Sequence, residues 1–128
     1  MRKYVFGGIA PGQIAELREA VGWNRMENEL SRSDLENLFE IGFMEDEKLI
    51  GYLCVVSNRV TDAYIQDVMV HPEAQRQGIG TGMMQLALVS IREKGIPMVS
   101  VIYGDEALRP FYEKFGFCTM FCGQMEIK

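Results

Sequence analysis

Histidine is almost missing from this chain: His71 is the single one in 128 residues. It stands beside Pro72, so no Ser/His/Asp arrangement for nucleophilic catalysis is evident. Cysteine is scarce too. Cys54, Cys118 and Cys122 make an odd count at wide spacing, which suits buried or partly buried free thiols rather than a disulfide framework. Cys118 and Cys122 have no second Cys/His pair to join them, and we expect no metal site. No stretch approaches the roughly 20 apolar residues of a membrane span. The amino-terminal residues 1–7 carry no apolar run long enough for a signal peptide. We therefore expect a cytoplasmic protein with no membrane partner. Basic excess is absent as well. Thirteen Lys and Arg against 18 Asp and Glu, a net charge of −5, argue against a nucleic-acid partner. The same balance is compatible with a cationic substrate such as an amine. There is no linker, repeat or low-complexity tract, and the length suits one domain over residues 1–128 with one core.

What is present is an ordered run of elements. Residues 3–9 read as a short strand, and Pro11-Gly12 introduces a helix over 13–21 with Ile14, Leu17, Arg18 and Val21 at helical spacing, stopped by Gly22. A second helix is predicted over 34–40, with Ser33 as cap and Glu36 three residues on. Residues 41–45 and 48–57 form a hairpin turned at Asp46-Glu47. Residues 63–70 make a third strand, with Ile65, Asp67 and Met69 on one face and Gln66, Val68 and Val70 on the other. A long helix runs from Gly78 to about Lys94, ended by Gly95. An apolar strand over 97–103, a short helix over 110–115 and a last strand or hairpin over 117–127 complete the chain. The order implies an α/β protein: one mixed central sheet with helices on both faces.

The most informative junction is Val68-Met69-Val70-His71-Pro72, then Gln75-Arg76-Gln77-Gly78-Ile79-Gly80-Thr81, entering the long helix. A strand, a polar glycine loop and a helix start aim main-chain N–H groups at one point on the positive end of a helix dipole. A P-loop is excluded, because no lysine precedes a Ser or Thr after the last glycine. A dinucleotide fingerprint is excluded, because Met83 stands where its third glycine would be.

Gln75-Arg76-Gln77-Gly78-Ile79-Gly80 resembles the acyl-CoA-binding motif of the GNAT superfamily of N-acetyltransferases. Phe111-Tyr112-Glu113-Lys114-Phe115-Gly116-Phe117 is similar to the second signature of that family, and the two stand in the family's order. Trp23 and Tyr64-Ile65-Gln66-Asp67 also resemble a bacterial branch of small members. The resemblance implies the acyl-CoA N-acyltransferase fold, with acetyl-CoA as cosubstrate. N–H groups of Gln75, Arg76, Gln77, Gly78, Ile79, Gly80 and Thr81 would donate to the diphosphate, and the bare Gly78 and Gly80 would let it approach. The Arg76 side chain either adds charge there or stays solvated. It further implies a bulge that splays the preceding strand from the strand at 99–102. The pantetheine arm would pair with main-chain groups of Val68, Met69 and Val70, and the N–H near Val68 would stabilise the thioester oxygen.

The implied reaction is acetyl transfer to a primary amine of a small molecule by direct attack on the thioester. Tyr112 is the candidate general acid, protonated at neutral pH; the other reading is a core tyrosine. Asp67 either takes the amine proton, directly or through water, or holds the substrate ammonium or a neighbouring strand. Trp23, Tyr64 and Tyr103 are candidate substrate contacts, able to stack on an aryl group or hold a cation; Trp23 also reads as core packing. Asp105 stands where many members carry asparagine, and Pro110 points to a helix beginning only there. A protein lysine or amino-terminal acetyltransferase and a non-catalytic acyl-CoA-binding module are the alternatives. The apolar 117–125 run, as an edge strand, would suit a homodimer.

Overall fold

The computed structural model describes residues 1–127. Strands β1 (Arg2–Phe6), β2 (Phe39–Glu45), β3 (Lys48–Ser57), β4 (Asp62–Val70) and β5 (Met98–Val101) form one sheet in the order β1-β2-β3-β4-β5. The first four strands run antiparallel, and β5 lies parallel to β4. The β4–β5 crossover is helix α3 (Ile79–Glu93), as a parallel connection requires. Helix α1 (Pro11–Ala20) starts on Pro11, whose missing N–H costs nothing at a first turn. Helix α2 (Glu27–Leu30) is a single turn, and α4 (Arg109–Glu113) follows a 3-10 turn at Glu106–Leu108.

Alternation along β2 and β3 divides the core in two. Ile41, Phe43, Leu53, Val55 and Ile65 pack against Ile79, Met83, Ala87 and Ile91 of α3. On the opposite face Leu49, Tyr52, Cys54 and Met69 pack against Ile14 and Leu17 of α1. Each Leu, Ile, Val, Phe or Met among them removed from water stabilises its layer by roughly 1.5–3 kcal/mol. The mixed sheet with helices on both faces is as the element order implied. No helix among the described residues is long and apolar enough to cross a membrane.

Three expectations need correction. Residues 34–40 are not a helix: Leu35 stays exposed, and the stretch is drawn into the sheet by Leu38 N–H donating to Val55 C=O at 2.7 Å and by the Phe39–Val55 register. Non-local pairing outweighs a local cap. The helical turn lies earlier, at Glu27–Leu30. Residues 117–127 form no strand. The β4–β5 ladder ends at the Ile65–Val101 pair, and the tail is fastened by side chains instead, with Thr119 Oγ1 2.5 Å from the Tyr103 hydroxyl.

The third correction concerns β4. Its side chains do not alternate evenly through Asp67. Tyr52 faces Met69 and Cys54 faces Gln66, so the single Leu53 lies opposite both Asp67 and Val68. That is a β-bulge, and Asp67 takes the positive φ of 57° there. Beyond the extra residue the faces exchange. Val68 and Val70 join Ile65 on the α3 side, while Met69 joins Tyr52 on the α1 side.

Candidate active site

The bulge does two things. It ends the pairing of β4 with β5, so Gln66 to Val70 part from Ile102 and Tyr103 and leave main-chain groups of Val68, Met69 and Val70 outside the β4–β5 ladder. It also turns Asp67 toward α1. The β4–β5 pairing thus stops where the resemblance implies a splay.

After Val70 the chain is tied down stepwise. His71 N–H donates to Ile50 C=O at 2.8 Å, His71 Nδ1 accepts from Glu73 N–H at 3.1 Å, and Ala74 N–H donates to His71 C=O at 2.8 Å. Gln75 Nε2 reaches back to Val70 C=O at 3.2 Å. Ala74 and Ile79 are buried, which anchors the loop at both ends. Between them Arg76 and Gly78 both take positive φ, 64° and 81°. None of the turn, loop and cap hydrogen bonds among the described residues is donated by a main-chain N–H from Gln75 to Thr81. The next one in the chain is Gly82 N–H to Gly78 C=O at 3.0 Å. Unspent donors at the start of a 15-residue helix make a site for an anion.

The side chains around these donors have other duties. Gln77 Oε1 accepts from Arg2 Nη1 at 2.6 Å, and Thr81 Oγ1 accepts from Lys114 Nζ at 2.8 Å. Lys114 lies over the rings of Phe111 and Phe115 at 4.7 and 5.3 Å. A Cβ on Gly80 would meet Phe111 Cζ of α4 at 3.4 Å, an ordinary van der Waals contact. Gly78 is different: open space surrounds it, and its left-handed backbone is what calls for glycine.

Helix α4 carries Tyr112 inward, 5% exposed. Tyr103 stacks on it at 4.7 Å with planes 15° apart, and Phe111 meets it edge-on at 5.0 Å. Burial, then the neighbouring Tyr103, pushes the phenol up to about 12. No described side chain or main-chain group hydrogen-bonds the Tyr112 hydroxyl, and no buried side-chain polar atom is left unpartnered. The hydroxyl is thus a protonated donor that keeps contact with solvent. Tyr103, expected as a substrate contact, makes this stack, meets Thr119 and lines a cavity together with Tyr64. Asp105 caps the 3-10 turn by accepting from Ala107 N–H at 2.9 Å.

The α1 side holds a group that motif reading passed over. Arg18 is the buried charged residue of the core, 8% exposed. Its Nη1 pairs with Asp67 Oδ2 at 3.1 Å. Nε donates to Asn24 C=O at 2.6 Å and Nη2 to Asn24 Oδ1 at 2.9 Å. Its guanidinium also lies 5.4 Å from the Trp23 ring centroid. One side chain thereby joins α1, the loop after it and the bulge. The signal was visible: a cation sitting on the apolar stripe of a helix. Trp23 is 42% exposed, so it is not core packing. Tyr64 is half-buried on the same side of the sheet, its phenol pushed up by burial and by Asp67. The candidate residues thus fall into two groups, one around the α3 start and Tyr112, the other around Asp67, Trp23 and Tyr64.

The model of the acetyltransferase (GNAT) family matches residues 12–117. An uncharacterized N-acetyltransferase, ycf52-like, of Prochlorococcus marinus is 31% identical over 110 residues, 82% of this chain and 61% of that protein. Serotonin N-acetyltransferase 2, chloroplastic, of Oryza sativa subsp. japonica is 27% identical over 86% of this chain and 57% of its own length. The chain therefore spans about 60% of the curated relatives it matches. Among solved structures, a probable acetyltransferase from meticillin-resistant Staphylococcus aureus superposes with a TM-score of 0.82 at 24% identity, covering 100% of this chain and 99% of that one. A GNAT family protein from Streptococcus pneumoniae gives 0.76 at 26% identity, covering 100% and 98%.

Proposed function

The chain belongs to the acetyltransferase (GNAT) family, and on that premise we propose that it transfers the acetyl group of acetyl-CoA to a primary amine of a small molecule. The carrying observation is the unspent run of N–H groups from Gln75 to Thr81 beside the gap that opens where the β4–β5 ladder stops. The residues present fit an anionic diphosphate: donors at a helix start, with Lys114 against Thr81 at its edge. Acetyl-CoA supplies an activated acetyl carbon, a carbonyl oxygen on which charge gathers and a thiolate leaving group.

The chain's own residues then have three tasks. The main-chain N–H near Val68 stabilises the developing oxyanion. Tyr112 holds a proton at its hydroxyl and would give it to the departing sulfur when the C–S bond breaks, after the C–N bond has formed and charge on the oxygen returns to the carbonyl. Asp67, held by Arg18 on one oxygen, takes the amine proton directly or through water. Trp23 and Tyr64 flank the approach of the amine. Arg18 touches none of the reacting atoms in this scheme and acts as a positioning residue for Asp67. The exposed Met120, Phe121 and Met125 of the tail support a homodimer as part of the same reading.

The test is thiol release from acetyl-CoA over a panel of small primary amines, with lysine peptides and peptide amino termini alongside. Release on small amines supports the proposal. Release on peptides alone assigns a protein substrate. Tight CoA binding without release on any acceptor leaves a binding module. Sedimentation equilibrium of the same sample gives the subunit number, and a monomer there removes the dimer.

A further inference from the structure

Glu40 lies two strands away from the bulge and has no part in the scheme above. Its Oε1 accepts from the Tyr52 hydroxyl at 2.8 Å and its Oε2 from Ile9 N–H at 3.2 Å. None of the ion pairs among the described residues uses it. An ionised carboxylate offers about four lone-pair positions, and two are spent here. It stands at the wall of a cavity of about 510 Å³ with a mixed lining, Ile9, Ile14, Leu30 and the exposed Leu35 beside Asn37 and Tyr52. That volume lies within the range of small-molecule sites. A half-buried carboxylate with lone pairs unspent and no cation paired to it is a ready acceptor for a cationic ligand.

The register relates this cavity to the proposed reacting centre. Glu40 faces Cys54, and Cys54 faces Gln66, the residue before the bulge. Glu40 is thus two inter-strand spacings, roughly 10 Å, from Gln66, the residue that precedes the bulge beside the proposed reacting centre. It is also on the α1 side of the sheet, where Asp67 meets Arg18. The cavity is too far away to hold the reacting nitrogen.

We propose that this cavity seats a second cationic group of the acceptor, so that the substrate class is the diamines: a primary amine joined by an apolar spacer to an ammonium that Glu40 receives. The inference rests on the acetyl-transfer reading for the reacting end, and its test separates the two. Thiol release is measured with 1,8-diaminooctane and with octylamine, which differ only in the distal ammonium, and calorimetry measures binding of both amines to the CoA-loaded protein. A charged hydrogen-bonded partner corresponds to a preference for the diamine of about tenfold or more in kcat/KM and in Kd. Glu40→Gln brings that ratio close to one. Leu35→Trp, which fills the cavity from its rim and leaves the carboxylate in place, does the same, so a misfolded Glu40 variant does not decide the matter.

Equal handling of the two amines by the wild type, or a preference that survives both variants, overturns the diamine assignment while acetyl transfer stands. Thiol release on neither amine counts against the transferase reading. In that case calorimetry still decides the cavity: tighter diamine binding lost in both variants supports it, and equal binding overturns it.

Discussion

The two sides of β4 are built by different means. On the α3 side the proposed cofactor site is made of main chain: free N–H groups from Gln75 to Thr81, the left-handed Gly78 and the parted strand at Val68 to Val70. On the α1 side the proposed acceptor site is made of side chains from distant segments. Arg18 of α1, Asp67 of β4 and Asn24 of a loop meet there, and Glu40 of β2 stands two strands off. A site of main-chain donors leaves a short, spaced signature, because the backbone conformation itself dictates which residues are glycine. A site of assembled side chains leaves almost none.

The sharpest way to separate the sides is to remove the group that belongs to chemistry alone. Tyr112→Phe is expected to lower turnover about 100-fold, the usual scale of a lost general acid, with CoA affinity changed less than about twofold. Steady-state kinetics and calorimetry on one preparation read both. Equal turnover in variant and wild type removes the phenol from the mechanism. The stacking ring on Tyr103 is retained in the variant, so a packing role alone would leave turnover intact.

Gly78→Ala probes the main-chain side. Alanine at a φ of 81° is strained by about 1–2 kcal/mol, and the loop relaxes away from its donor-aiming shape. CoA affinity is expected to fall about tenfold, with the KM for the amine nearly unchanged. Arg18→Met probes the other side. It leaves Asp67 without its cation and the Asn24 carbonyl without its donor, at an expected cost of about 2 kcal/mol, read as a lower urea midpoint. The amine KM is expected to rise several-fold and CoA affinity to hold. Were Gly78→Ala to move the amine KM, or Arg18→Met the CoA affinity, the division between the two sides would be lost.

The contrast also explains what could be read beforehand. The sheet, the α3 crossover, the glycine loop and the Phe-Tyr signature were legible, because each is a local pattern of apolar period, turn residues or spacing. The helix assigned to 34–40 failed because Ser33 and Glu36 are a valid local cap that lost to the Phe39–Val55 ladder. The bulge was implied by resemblance, but its effect on the faces was not, since an extra residue in β4 leaves no mark in the alternation until Leu53 is known to lie opposite it. Arg18 was visible as a cation on an apolar stripe, yet nothing local identifies Asp67 and Asn24 as its partners.

A separate effect is alkaline. Burial pushes the Cys54 thiol and the Tyr112 phenol each up to about 12, from ordinary values of 9.0 and 10.0. The unfolded chain gives up these protons first, so their contribution to stability is whole below about pH 9 and is lost as pH rises toward 12. Denaturant midpoints measured from pH 8 to about 12 should decline over that window, and Cys54→Ala should flatten the decline. The Tyr112 proton, on the same reasoning, stays available for donation throughout the neutral range.

Titration of ¹⁵N-labelled protein with CoA, followed by amide resonances, addresses the central claim most directly. The main-chain account predicts large shifts confined to Gln75 through Thr81 and Val68 through Val70, with Arg18, Asn24 and Glu40 nearly still. Saturating CoA that moves neither segment, or moves the Arg18 and Glu40 region instead, contradicts it.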